Sequence, residues 1–253
     1  MTSIIMPAYN AERYIEESIK SILSQTYTDW ELIIIDDCSH DQTPHICKSY
    51  TKHSEKIHYY RNPFNKGVAE SRNRGVSLAQ GEWIAYIDSD DCWQPQKLEL
   101  QLRIAAEKQA CFIFTGSAYI NENSLPLEYC LPVPLEISYK ELLKQNVISC
   151  SSVLIHKELM LRYPMENGSK MHEDFAIWLK VLKNEGVRAY GIDQPLLIYR
   201  LSPASKSGNK IKAGIMTYRV YRHIGIPIIP ACYYWICYFF RSLNKYKHLV
   251  KRN

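Results

Sequence analysis

Along the first 120 residues the apolar positions alternate between two periods. Residues 3–7 are a short apolar run of the kind that buried strands show. Residues 11–23 place Ile15, Ile19, Ile22 and Leu23 at helical spacing. Residues 32–35, Leu-Ile-Ile-Ile, predict a second strand that stops at Asp36-Asp37. The alternation continues with a helix over 42–50, a strand over 57–60, a helix over 68–79 stopped by Gly81, and a strand over 83–87. That strand runs into Asp88-Ser89-Asp90-Asp91; Pro95 then opens a helix to about residue 108, and 112–119 is another strand. Strands and helices alternating in this way predict βαβ units and a mostly parallel central sheet flanked by helices. The second half is less regular. It predicts a strand over 153–155, an amphipathic helix over 173–183 built on Phe175, Ile177, Trp178 and Val181, and a strand over 195–199 before a polar loop at 202–209.

Composition changes the picture mainly through charge. A chain of 253 residues, 46% hydrophobic and 23% charged, is globular rather than disordered and suits one main domain. The formal charge of +5 would fit a nucleic-acid binder, but it is unevenly spread. Residues 201–253 hold ten Lys and Arg and no Asp or Glu, leaving 21 basic and 26 acidic side chains before them. An acidic body with a basic tail points to an anionic partner for the tail alone, and no nucleic-acid motif accompanies it. Within the tail, residues 224–240 are uncharged, rich in Tyr and Trp, and contain Pro227 and Pro230. Seventeen residues is short for a spanning helix. Aromatic content and basic flanks instead predict a segment lying on the inner-leaflet surface through residues 219–252, with a helix hairpin packed on the body as the other reading. Each basic residue near an anionic leaflet contributes roughly 1 kcal/mol. Eight cysteines without a C-x-x-C pair, and no leader before the first strand, predict reduced thiols and a cytoplasmic location at the membrane periphery.

In parallel sheets ligands bind beyond the carboxyl ends of the strands, and the polar clusters fall there. The first is Pro7-Ala8-Tyr9-Asn10, where Tyr9 offers a ring to a nucleobase. It has no G-x-G-x-x-G, which argues against a dinucleotide-binding dehydrogenase. Asp36-Asp37 ends the second strand, where nucleotide folds grip a ribose or base, or where a turn is capped. Asp88-Ser89-Asp90-Asp91 crowds three carboxylates that suit Mg²⁺ or Mn²⁺, or form a solvated turn. His172-Glu173-Asp174 opens a helix, as a cap or as a general base. Residues 65–75, with Asn65, Gly67 and Arg72, read as an exposed basic helix or as a phosphate-facing helix start.

These clusters occur in a familiar order. The chain resembles the family 2 glycosyltransferases of bacterial envelope polysaccharide synthesis, which have the GT-A fold. The resemblance covers residues 3–10, 24–39, 65–81, 88–91 and 173–174, within 1–200. The chain is expected to hold a GT-A catalytic domain over 1–208, with a nucleotide-binding half at 1–120 and an acceptor half at 121–208, and then a basic, aromatic helical extension over 209–253 that has no firm counterpart in the family. The resemblance implies a nucleotide-sugar donor, usually a UDP-sugar, and a divalent cation, Mn²⁺ or Mg²⁺. Pro7 and Tyr9 would line the base pocket with Ala8 and Asn10, and Asp37 would accept the uracil N–H. Asp88 would lie near the ribose, and Ser89, Asn65, Gly67 and Arg72 would also belong to the nucleotide-sugar site. Asp90 would meet the metal, with Asp88 and Asp91 close by, and Asp174 would be the base. Arg200 would belong to a region closing over the diphosphate.

The expected reaction is a single inverting hexosyl transfer to a hydroxyl of a lipid-linked or oligosaccharide acceptor. Two rivals are a sugar nucleotidyltransferase and a catalytically silent partner subunit. The first normally has a Gly-rich, basic first loop, absent at residues 7–11; the second has no need to keep Asp90 and Asp174.

Overall fold

The computed structural model describes residues 1–167, 171–201 and 210–250. Its first part is β1 (Thr2–Ala8), α1 (Ile15–Leu23), β2 (Trp30–Asp36), α2 (Thr43–Thr51), β3 (Ile57–Arg61), α3 (Val68–Leu78) and β4 (Trp83–Tyr86). Then follow β5 (Cys92–Trp93), α4 (Lys97–Lys108), β6 (Phe112–Ile120), β7 (Pro126–Leu131), β8 (Glu136–Ile137) and α5 (Tyr139–Leu142). A 3₁₀ turn, Cys150–Ser152, precedes β9 (Leu154–His156), α6 (Lys157–Arg162), α7 (Glu173–Asn184) and β10 (Ala189–Arg200). Two helices, α8 (Lys210–His223) and α9 (Ile228–Val250), close the chain.

The strands form one sheet in the order β3-β2-β1-β4-β9-β6-β10-β5, with β7 added to β6 and β8 to β10. β3, β2, β1 and β4 pair in parallel, as do β6 and β10. The antiparallel β9 bridges β4 to β6, so β6 and β10 keep the direction of the first four strands. The reversed pieces are β5, β7, β8 and β9. Every residue of β1 and β2 is buried, which is why apolar residues stand next to one another at their centres, Ile4–Met6 and Leu32–Ile35. Neighbours still alternate: Ile5, Ile33 and Ile35 face one core with Trp178 and Phe175, while Ile4, Leu32 and Ile34 face the other with Ile15 and Ile19. On the first face α3 lies so close to β1 that a Cβ on Gly75 would stand 2.4 Å from Cγ2 of Ile5.

The structure departs from the sequence pattern in three places. α1 starts at Ile15, because residues 11–14 form a turn, and Leu23 is exposed rather than core. β10 begins at Ala189, with register shifts around Pro195 that hid its first half from a periodicity reading. The uncharged stretch 224–240 is not one segment: it contains the turn between α8 and α9, where Gly225 has φ +82°. Val220, Tyr221, Ile226 and Ala231 of this hairpin are buried in the body's core, and Trp235 Nε1 donates to the Gly214 carbonyl at 2.8 Å. Among the described residues no helix is long and apolar enough to cross a membrane. All eight cysteines are free thiols.

Candidate functional site

β2, β1 and β4 are adjacent and parallel, so their carboxyl ends bring Asp37, Tyr9 and the turn at residues 88–91 to one edge. The Tyr9 ring is half exposed there. Pro7 and Ala8 are buried within β1, and the Ala8 carbonyl accepts the Asp37 N–H at 2.8 Å. Asn10 takes a left-handed conformation, φ 48°, and is pinned to the β2–α2 loop: its N–H donates to Ser39 Oγ and its Oδ1 accepts from the His40 N–H. Asp37 is 4% exposed and already accepts three hydrogen bonds, from Asn62 Nδ2 (2.7 Å), the Lys66 N–H (2.8 Å) and the Gly67 N–H (2.7 Å). It therefore shapes the loop that leads into α3, leaving lone pairs on the same oxygens for a donor group. Gly67 has φ +88°, and a Cβ there would lie 3.0 Å from Asn167 Oδ1. Asn65 is exposed on this loop.

The acidic turn is held from several sides. The Asp88 N–H donates to Ser151 Oγ at 3.0 Å. Arg200 caps the turn: its N–H donates to Asp91 Oδ1 at 3.0 Å and its Nε to the Asp90 carbonyl at 2.8 Å. The rest of the Arg200 guanidinium is taken by Asn121, Ser124 and Glu17, and it lies 4.1 Å from the Tyr14 ring centroid. Arg200 is 1% exposed and braces the turn, whereas the sequence expectation places it in a region closing over a diphosphate. The loop expected beside it, 202–209, lies outside the described residues. Arg72 also differs from expectation. It is buried, and its fork joins Asp88 Oδ1 (2.6 Å) to Glu173 Oε1 (3.1 Å). A buried cation must find carboxylates, and here it ties the acidic turn to the first residue of α7.

That tie separates the two carboxylates opening α7. Glu173 pairs with Arg72, while Asp174 lies next to it and is only partly buried. Burial and the neighbouring Glu173 raise the Asp174 carboxyl above the ordinary aspartate range, opposed by His172 and Arg72. A base becomes more effective as its pKa approaches the working pH. Burial and the Asp88 charge likewise push Asp90 up to about 6. Asp91 is buried and raised as well, by burial and then by Asp90 and Asp88, and its Oδ2 has no hydrogen-bond partner.

This donor set fits a hard divalent cation. Burial and mutual crowding raise the Asp90 and Asp91 carboxyls for want of a counter-charge, and one buried oxygen of Asp91 is orphaned. Among the described residues no group of three or more His, Cys, Asp or Glu is arranged as a self-sufficient metal cage. Mg²⁺-type sites commonly take one or two carboxylates and complete their shell with substrate phosphates and water. Asp90 and Asp91 are the residues that would hold such an ion, with Ser89 and Asp88 beside them.

Sequence reading missed Ser151, Asn62, Glu17 and the buried buttress beneath them. Trp93 Nε1 donates to the Ser151 carbonyl at 2.8 Å, Gln101 Nε2 to the Ser152 carbonyl at 2.9 Å, and Lys97 Nζ to Gln101 Oε1 at 2.8 Å. Lys97 is fully buried with its ammonium 3.8 Å from the Trp93 ring centroid, and burial drives its pKa well down. A lysine in a helix pattern gives no sign of this. The bracing predicts that Arg200→Lys, which loses the planar fork, lowers stability by roughly 1.5–3 kcal/mol for each charge-assisted bond not replaced. It should also weaken nucleotide binding in titration calorimetry. An unchanged melting temperature and unchanged UDP affinity would remove the bracing role.

Residues 3–159 match the family model described as "Glycosyl transferase family 2". The teichuronic acid biosynthesis protein TuaG of Bacillus subtilis, described as a putative glycosyltransferase, is 40% identical over 224 residues, 88% of either chain. The Escherichia coli enzyme WfgD, a UDP-Glc:alpha-D-GlcNAc-diphosphoundecaprenol beta-1,3-glucosyltransferase, is 36% identical over 84% of this chain and 81% of its own. Among solved structures, S. aureus TarS residues 1–349 with UDP-GlcNAc superposes with TM-score 0.72 at 20% identity. The mannosyltransferase PcManGT of Pyrobaculum calidifontis with GDP-Man and Mn²⁺ superposes with TM-score 0.69 at 16% identity. Each superposition covers 88% of this chain but only 65% and 63% of those longer ones, and each shows a shared GT-A fold. With well over half its length in the family model and two relatives above 35% identity along most of the chain, this protein belongs to glycosyltransferase family 2.

Proposed function

We propose that this glycosyltransferase moves a sugar from a UDP-sugar to a hydroxyl of a lipid-linked glycan, with inversion, in cell-surface polysaccharide synthesis. The observation that carries the reading is the Arg72 bridge, which joins the acidic turn at the end of β4 to the α7 terminus bearing Asp174. A donor-diphosphate site and a base of raised pKa are thereby parts of one edge. The name of TuaG supports a role in teichuronic acid-type biosynthesis, and the GlcNAc-diphosphoundecaprenol in the name of WfgD supports a lipid-linked acceptor. A place at the cytoplasmic membrane face follows from that acceptor and from the basic tail.

In this reading Tyr9 stacks on the base, and the Asp37 carboxylate accepts the uracil N–H beside its existing loop bonds. Asp174 takes the proton from the acceptor hydroxyl as its oxygen attacks the anomeric carbon. The anomeric C–O bond to the diphosphate breaks, and UDP leaves. Asp90 and Asp91 are the residues that would hold a divalent ion, which would supply Lewis-acid neutralisation of the diphosphate charge. Ser151, Arg200 and Arg72 keep the carboxylates of the turn in place before any ligand arrives, so little reorganisation is needed on binding.

The test is a panel of UDP-, GDP- and dTDP-sugars, with transfer and donor hydrolysis measured with Mn²⁺ present. The expected result is turnover of a UDP-sugar above the others. Preference for a GDP- or dTDP-sugar would overturn the Asp37 assignment. Absence of turnover with every donor and with a diphospholipid-linked acceptor would leave a silent partner subunit instead.

A further inference from the structure

We propose that the outward face of α9 is a docking surface for an anionic lipid bilayer. Building on the lipid-linked acceptor reading, it names the surface that brings the enzyme to that acceptor. Ile229, Tyr233, Ile236 and Phe240 are all exposed, at 84, 55, 49 and 63%. Their spacing of four, three and four residues lines them along one side of the helix for about 16 Å. Ile228 and Phe239, also exposed, widen the stripe. These residues are not needed to hold the helix down. That work falls to the opposite side, where Ala231 is buried, Tyr234 packs on Tyr221 with ring centroids 6.3 Å apart, and Trp235 bonds to Gly214.

Monomeric proteins seldom leave so continuous an apolar stripe bare, so something covers it. Charge selects the occupant. From residue 201 onward there are ten basic residues and no carboxylate. Arg219 and Arg222 belong to α8, and Arg241, Lys245 and Lys247 to α9 itself. A second copy of this chain would set these cations against one another. An anionic leaflet would instead attract the basic tail, and each basic residue near it adds roughly fivefold to such binding. The stripe is one-sided, and no described helix can cross a membrane, so α9 would lie in the headgroup region with its aromatic rings at the interface. The docking surface is also coupled to the site. Phe175, which follows Asp174, packs on Tyr221 at 6.0 Å, and Tyr221 packs on Tyr234 of α9. Two ring contacts therefore fix the α7 terminus relative to the face that would rest on lipid.

The experiment is flotation of the purified full-length chain with phosphatidylcholine vesicles, with and without phosphatidylglycerol. Two variants accompany it: Ile229→Ser/Tyr233→Ser/Ile236→Ser/Phe240→Ser, and Arg241→Glu/Lys245→Glu/Lys247→Glu. The wild type should float with the anionic vesicles and far less with neutral ones, and high salt should weaken it. The stripe variant should lose at least about tenfold in vesicle affinity, and the charge variant a similar amount on anionic vesicles only. Both should keep the wild-type circular dichroism spectrum and UDP affinity, because every substituted position belongs to α9 and none to the strand ends that form the nucleotide site. Equal flotation of wild type and stripe variant, or no flotation of the wild type, overturns the proposal. So does a wild-type dimer that the stripe variant dissociates without any vesicle binding. Donor hydrolysis on the same preparations tests the transferase reading separately: its absence would sink that reading and leave the vesicle result standing.

Discussion

Asp174→Asn is expected to lower kcat by about 10²–10⁴-fold while leaving the donor KM and UDP affinity near wild type. The substitution keeps the size and the hydrogen-bonding side chain and removes only the ability to take a proton. Glu173 cannot substitute, because it is 6% exposed and paired with Arg72 at 3.1 Å. The same pairing makes the neighbouring change a different experiment. Glu173→Gln strips one partner from a buried guanidinium and should show mainly as lost stability, on the order of 3 kcal/mol. Because burial and Glu173 raise the Asp174 carboxyl, the acidic limb of the pH–kcat profile should lie above that of an ordinary aspartate. The base must be ionised to act, so rate falls as pH drops through that raised value. The decisive measurement is single-turnover transfer by Asp174→Asn. A rate within threefold of wild type, on the order of half a kcal/mol, would end the assignment.

Much of the fold could be read from periodicity because its central strands are buried on both faces. β1, β2 and β4 have apolar centres without alternation, and each ends at a polar cluster that the parallel topology places on one edge. Asp37, the acidic turn and Asp174 were legible for that reason: their positions relative to element ends carry the information. β5 and β8 were not, since two residues hold no period. β10 was half hidden by the irregularity around Pro195. The misread residues share one cause. Arg72, Arg200 and Lys97 are cations that sequence patterns assign to solvent, yet all three are at most 3% exposed. Arg72 and Arg200 are held by partners 16 to 183 residues away, such as Asp88 and Glu17, which no local pattern reports, while Lys97 is held locally by Gln101 and Trp93 in a burial its sequence does not signal. Ser151 escaped for the opposite reason: a serine in a polar stretch looks ordinary until Asp88 is seen donating to it.

Asp90→Asn and Asp88→Asn should both impair metal-dependent turnover, but they should move stability in opposite directions. Asp90 titrates near 6 because burial and the Asp88 charge disfavour its ionised form. In the folded, metal-free protein it therefore keeps a proton that the unfolded chain has already released. The sign follows: between about pH 4 and 6 the native state binds more protons, so stability falls as pH rises through that window. At pH 7 the ionised Asp90 opposes folding by on the order of 3 kcal/mol, and Asp90→Asn should recover part of this in the metal-free enzyme. Asp88 is the reverse case, since it neutralises the buried Arg72 at 2.6 Å. Asp88→Asn leaves that guanidinium with one carboxylate fewer and should destabilise. Metal binding has a readout of its own in electron paramagnetic resonance of Mn²⁺ titrated into the enzyme with UDP. Asp90→Asn should weaken that binding by at least about tenfold and lower turnover by roughly 10³-fold, several kcal/mol of lost charge neutralisation. Chelation by EDTA should stop wild-type transfer, and added Mn²⁺ or Mg²⁺ should restore it. Below pH 6, protonation of Asp90 should weaken Mn²⁺ binding by wild type while barely changing the already weak binding by Asp90→Asn. Transfer that survives EDTA, or Mn²⁺ affinity equal in wild type and Asp90→Asn, would show that the acidic turn serves the fold alone.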